Sequence, residues 1–236
     1  MAWTTRYDDP NRPSAGQALG DGLRRAVLPL LGLFALDLGI GWLITGPGQG
    51  LKGESALNAA LQATRTPLLD ALAIGFSTAG NTIGNISACL VSMALIGWFT
   101  RRWWVAILPG IALGLEGALH AATSVIIGRA RPEVPQLDAA QPTASFPSGH
   151  VGASLSQLLI LFLLSLGVRN RALSWAAGLA GLAFVGGLAW SRLYLGMHHG
   201  TDVAVGVLNG IVCGLLGWFY LRRDEPSRAK RALANE

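Results

Sequence analysis

Six runs of about 20 mainly apolar residues govern what this chain can fold into. A segment of that length matches the hydrocarbon thickness of a bilayer, and among single segments only a helix satisfies its backbone polar groups there. The runs cover 27–45, 82–100, 104–127, 150–168, 173–190 and 202–221. The expectation is an all-α integral membrane protein, a six-transmembrane-helix bundle. Composition agrees: 51% hydrophobic and 13% charged residues with a mean hydropathy of +0.44 are too apolar for an ordinary soluble domain. The first 22 residues are polar and hold Asp8, Asp9, Arg6, Arg12 and two prolines. That is not the layout of a cleaved signal peptide, so the first span is expected to remain. Between runs one and two, Gly46-Pro47-Gly48 breaks the chain, and two stretches inside 46–81 read as short interfacial helices, one of them starting at Thr66-Pro67.

Basic residues set the expected orientation. Thirteen of the 18 precede span 1, follow span 6, or lie between spans 2 and 3 and spans 4 and 5. By the positive-inside rule both termini are then cytoplasmic, in the cell membrane, and the other loops face outward. The segmentation that follows is 1–26 as a cytoplasmic N-terminal segment, 27–222 as the six-span domain and 223–236 as a cytoplasmic basic tail. A net charge of +5 and a pI near 9.9 do not signal nucleic acid, because the basic residues fall singly or in pairs between apolar runs. Cys89 and Cys213 each lie inside an apolar run and read as packing.

Three polar clusters fall on the expected outer face: Gly128-Arg129-Ala130-Arg131-Pro132, Phe146-Pro147-Ser148-Gly149-His150, and the stretch from Ser191-Arg192 to His198-His199-Gly200-Thr201-Asp202. Ionisable groups at a span boundary are costly to keep and read as functional. His198 and Asp202 stand four apart, so a helix starting near His198 would stack them, leaving one imidazole nitrogen bound by the carboxylate and the other as an oriented nucleophile or base. Arg192 offers a planar fork for an anion. Each cluster alone has an ordinary reading, as a helix end, a turn or a packed histidine; at the outward ends of successive spans they form one constellation.

That constellation resembles the type 2 phosphatidic acid phosphatase superfamily, the lipid phosphate phosphatases related to bacterial acid phosphatases and vanadium haloperoxidases. The resemblance covers roughly 68–221. The family's Pro-Ser-Gly-His motif matches Pro147 to His150, and its Ser-Arg, His and Asp motif matches Ser191, Arg192, His198 and Asp202. Its first motif is incomplete: Arg131-Pro132 is present, but the family's lysine position holds Ser124. The resemblance implies a membrane-embedded, metal-independent phosphatase with no cofactor, acting on a lipid phosphate or diphosphate such as undecaprenyl diphosphate, phosphatidate or phosphatidylglycerol phosphate. His198 would form a phosphohistidine, Asp202 would fix its tautomer, and His150 would serve the leaving oxygen and then water. Arg131, Arg192, Ser148 and Gly149 would hold the phosphate, and Arg129 is the expected substitute for the lysine. The same residues also suit a lipid phosphotransferase, and the arginines alone would suit a non-catalytic lipid-phosphate-binding or transport protein. Glu116, His120 and Ser124 share one face of span 3, and Asp37 is a further acid within span 1.

Overall fold

The computed structural model describes residues 6–7, 11–48, 51, 53–139 and 142–221. The expected tail 223–236 and most of the first ten residues lie outside them, as does Lys52. Among the described residues the regular structure is helical throughout. The elements are α1 (Ala15–Gly22), a π-helical turn (Leu23–Val27), α2 (Leu28–Thr45), α3 (Ser55–Gln62), α4 (Pro67–Ala79), α5 (Thr82–Thr100), α6 (Trp103–Ala106), α7 (Leu108–Ile127), α8 (Gly149–Ser165), α9 (Arg171–Tyr194) and α10 (Gly200–Trp218).

Local chemistry explains most of the ends. Ser14 and Gln17 form a capping box at α1, and the π-helical turn then carries α1 into α2 without a break. Thr66 caps α4 by accepting from the Leu69 amide at 3.2 Å, with Pro67 in the first turn. Asn81 does the same for α5 through Gly84, at 2.8 Å. Helix α7 stops at Gly128, whose φ of 60° is left-handed backbone that glycine takes without a side-chain clash.

Each of the six apolar runs contains a helix, with shifted limits. Among the described residues, five helical stretches are long and apolar enough to cross a membrane: Ala15–Thr45, Thr82–Thr100, Trp103–Ile127, Arg171–Tyr194 and Gly200–Trp218. Helix α8 has 17 residues, which at 1.5 Å of rise each is roughly 26 Å. It is the central helix, packed on α7, α9 and α10. Its contact with α10 is close because Gly206, Gly210 and Gly214 present no side chain to it. A Cβ on Gly206 would stand 2.6 Å from the Ser148 carbonyl oxygen, and one on Gly210 would stand 2.8 Å from that of Gly152. Large apolar side chains such as Trp42, Ile83, Phe99 and Leu182 point outward from α2, α5 and α9. That exposed apolar belt is what a lipid environment covers.

The two ends of the bundle differ in content. One end gathers Arg6, Tyr7, Arg25 and Arg102 around the close of α10: Tyr7 donates to the Trp218 carbonyl at 2.7 Å, Arg25 to that of Leu221 at 3.1 Å, and Arg102 to that of Tyr7 at 2.7 Å. The other end holds the three polar clusters together with α3, α4 and the connection 128–148.

Candidate active site

The segment from Arg192 to Gly200 is a compact turn that folds back on the end of α9. The amides of Met197 and His198 donate to the Arg192 carbonyl at 3.0 and 3.3 Å. Gly196 makes the reversal with φ of 70°, and a Cβ there would collide with the Pro135 carbonyl oxygen at 2.7 Å. Helix α3 fastens the turn from outside, since Asn58 donates to the carbonyls of Leu193 at 2.8 Å and His198 at 2.9 Å. His198 is thereby held nearly fully buried in a rigid backbone.

The partner that orients His198 differs from the sequence expectation. Helix α10 begins at Gly200, so His198 precedes it and is not stacked over Asp202. The His198 Nδ1 to Asp202 Oδ2 distance is 3.9 Å, whereas Nδ1 lies 2.6 Å from the Ser145 carbonyl oxygen. A carbonyl only accepts, so Nδ1 carries the proton and Nε2 keeps its lone pair. Asp202 acts one step removed. Its Oδ2 accepts from the Ser145 hydroxyl at 2.5 Å and from the His199 amide at 2.8 Å, and its own carbonyl accepts from the Ser148 amide at 3.0 Å. The carboxylate thus braces the two segments that carry His198 and His150. Burial pushes the His198 imidazole well below its usual range, and the nearby charges of Arg192 and Arg131 and the His150 ring add to that effect. His198 is therefore neutral at physiological pH.

Arg192, on the last turn of α9, is completely buried and held along one edge. Its Nη1 donates to Ser77 Oγ on α4 and, at 2.6 Å, to Asp138 Oδ2 from the outer connection. Ser77 also donates to the same oxygen at 2.6 Å, and the Ala139 amide holds the other at 2.8 Å. Burial alone would raise the Asp138 carboxyl, but the bonds from Ser77, Arg192 and Ala139 outweigh it and keep the group below its ordinary value. The opposite edge of the guanidinium, Nε and Nη2, is buried without a partner. Those two nitrogens have the fork geometry that suits two oxygens of one anion. Ser148 Oγ and His150 Nε2 are likewise buried and unpartnered. Arg131 turns its Nη1 to the Met197 carbonyl at 2.5 Å and its Nη2 to that of Thr143 at 3.0 Å, next to His198.

Arg129 is placed differently from the expectation that it substitutes for the family's lysine. Its Nη1 meets Asp202 Oδ1 at 2.5 Å and Thr201 Oγ1 at 2.6 Å, and its Nη2 meets Glu54 Oε2 at 2.8 Å. These bonds make it the counter-ion of two carboxylates at the start of α10. Ser124, at the lysine position, accepts from the Ala144 amide at 2.9 Å and so secures the outer connection. Gly149 also has a packing role: a Cβ there would stand 2.9 Å from the His120 ring. His199 is near Asp202, with Nδ1 3.2 Å from Oδ2.

Sequence reasoning brought His198, His150, Arg192, Arg131, Ser148, Gly149 and Asp202 to one end of the bundle, and the structure places them together there. It missed Ser77, Asp138, Ser145, Glu54 and Asn58. The one available signal was charge: Asp138 is an acid in a proline-rich connection facing three arginines.

The model of the PAP2 superfamily matches residues 103–225. The chain belongs to the PAP2 superfamily. PAP2 relatives include phosphatidylglycerophosphatase B of Bacillus subtilis, 29% identical over 189 residues, covering 76% of this chain and 86% of the relative. Decaprenylphosphoryl-5-phosphoribose phosphatase of Mycobacterium tuberculosis is 28% identical over 172 residues, 70% of this chain and 89% of the relative. Among solved structures, a transmembrane PAP2 type phosphatidylglycerolphosphate phosphatase from Bacillus subtilis superposes with a TM-score of 0.71 at 22% identity, covering 84% of this chain and 98% of that one. Aquifex aeolicus LpxE gives 0.56 at 22% identity, covering 69% and 92%. This PAP2 protein is therefore a multi-pass membrane protein whose relatives are lipid phosphatases.

Proposed function

We propose that this protein hydrolyses a lipid phosphate through a phosphohistidine on His198, at the extracytoplasmic end of a six-span bundle. The observation that carries the reading is the set of buried, unpartnered polar atoms beside a neutral imidazole: Arg192 Nε and Nη2, Ser148 Oγ and His150 Nε2. Burying that many polar atoms unsatisfied is costly, and a phosphoryl group satisfies them together. The Nε2 lone pair of His198 attacks phosphorus, and the bond from phosphorus to the lipid oxygen breaks. Protonated His150 gives that oxygen its proton. A water then attacks the phosphohistidine while His150 takes its proton, the phosphorus–nitrogen bond breaks, and phosphate leaves. Arg192, Arg131, Ser148 and the Gly149 amide at the start of α8 hold the oxygens on which charge develops.

Two further points support the reading. The phosphatidylglycerophosphatase and decaprenylphosphoryl-5-phosphoribose phosphatase relatives are named for phosphates borne by lipids, and an apolar belt around the bundle suits access of such a substrate from the bilayer. The end opposite the site carries Arg6, Arg25 and Arg102, which by the positive-inside rule makes it cytoplasmic. With α8 counted as a short central span, both termini share that side. A cysteine placed at Gln136 is expected to react with an impermeant thiol reagent on intact cells and one at Asn170 not to; the reverse pattern overturns the topology.

The activity test is phosphate release from detergent-solubilised protein with EDTA present, on a panel of lipid phosphates. The parent is expected to turn over, and His198→Ala to lose at least about 10⁴-fold. Equal release by the two defeats the nucleophile assignment.

A further inference from the structure

Beside His150 lies a cavity of about 280 Å³ between α5, α7 and α8, whose lining does not include His198. Its walls include Ile86, Leu113, Asn85 and Thr143, and it holds two groups that the proposed chemistry does not use, His120 and Glu116. The His120 ring lies against the backbone of Gly149, close enough that a Cβ there would meet it at 2.9 Å, so it adjoins the residue that bears the leaving-group proton. His120 Nδ1 is buried and without a partner, as is Glu116 Oε1 one helical turn away on the same wall. Gly152 has no side chain where Glu116 sits: a Cβ there would be 2.2 Å from Oε1.

Resting on the phosphatase reading, we infer that this cavity receives the leaving group and selects one that carries a hydroxyl near the esterified oxygen. The substrate class is a phosphate monoester on a polyol that is itself lipid-linked. Buried polar atoms that have no partner are satisfied by a neutral hydroxyl, which both donates and accepts. A diphosphate would bring its second phosphate up to the Glu116 carboxyl on the cavity wall. A phosphatidate has both neighbouring oxygens acylated and offers no donor. The wall also carries the apolar Leu113 and Ile86 beside the polar Thr143, which suits a polar head joined to a chain.

The test uses phosphatidylglycerophosphate, whose phosphorylated glycerol has a free hydroxyl, and its counterpart with a propane-1,3-diol head, which lacks only that hydroxyl. The parent is expected to prefer the hydroxylated lipid by about tenfold or more in kcat/KM, as sites built around a hydroxyl do. His120→Leu is expected to lose that preference while keeping its rate on the diol lipid within about threefold, and His120→Asn, which retains an acceptor, to recover part of it. Equal rates on the two lipids by the parent overturn the inference, and that comparison needs no variant to fold. An equal loss on both lipids in His120→Leu also overturns it. A parent that hydrolyses neither lipid, nor any lipid phosphate in the wider panel, overturns the phosphatase reading itself.

Discussion

The two ends of the bundle both gather arginines, and they use them in opposite ways. At the end where α10 closes, Arg25 and Arg102 donate to backbone carbonyls and Tyr7 ties the N-terminal segment to Trp218. At the other end Arg192 is held through Nη1 only, and its Nε and Nη2 are buried without a partner, as are the Ser148 hydroxyl and His150 Nε2. The first arrangement fastens the chain. The second leaves hydrogen-bonding capacity unmet, as the proposed phosphate binding requires. Arginine content does not separate the two ends; the difference is an unpartnered guanidinium edge at the same end as an unpartnered serine hydroxyl and histidine nitrogen.

Substitutions at the two ends sharpen this contrast. The largest effect is expected at Arg129, which sits at the reactive end but is structural. Arg129→Gln leaves Asp202 and Glu54 uncompensated, and breaking a buried pair of this kind costs about 3–5 kcal/mol. Thermal unfolding in detergent checks it; unchanged stability with a raised KM would return Arg129 to phosphate binding. Arg192→Ala removes the free fork and is expected to lower kcat by about 10²–10³-fold, the usual consequence of deleting donors to developing charge. Asp138→Asn weakens a charge-assisted bond to Arg192 and is expected to cost about tenfold in kcat/KM with little change in stability. Loss of that contrast between Asp138 and Arg129 would erase the distinction drawn here. Arg25→Gln, at the fastening end, is expected to leave turnover within about twofold.

Acidity offers a smaller but independent check. His198 is held below the usual imidazole range by burial and then by Arg192 and Arg131. It must therefore stay unprotonated, and nucleophilic, at pH values where a free imidazole is charged. The acid limb of kcat/KM attributable to it is expected below about 6.5, the unperturbed histidine value. Arg131→Gln removes one of the charges that depress it and is expected to move that limb upward. A limb that stays fixed in this variant would place Arg131 away from the nucleophile.

What the sequence made legible follows from how each feature is encoded. The helices were readable because apolar runs are local, and the cluster residues were readable because His198, Asp202, Ser148 and His150 lie beside span ends. The pairing of His198 with Asp202 was misread because it hinged on where α10 starts. A helix beginning at Gly200 takes His198 off the shared face and gives its Nδ1 to Ser145 instead. Ser77 and Asp138 were invisible because they reach Arg192 across 115 and 54 residues of chain, through packing of α4 on α9 and folding of the outer connection. Arg129 and Arg131 stand two apart in sequence and read alike. The bundle separates them, giving one to carboxylates and the other to carbonyls beside His198.

The most direct measurement is where the phosphoryl group resides during turnover. The solubilised protein is given lipid phosphate labelled with radioactive phosphorus, quenched within milliseconds in alkali, where a phosphohistidine survives, and its peptides are mapped. The account predicts label on the peptide that contains His198 and none on His198→Ala, which no longer turns over. Label on a different residue, or an unlabelled chain together with undiminished turnover by His198→Ala, would contradict it.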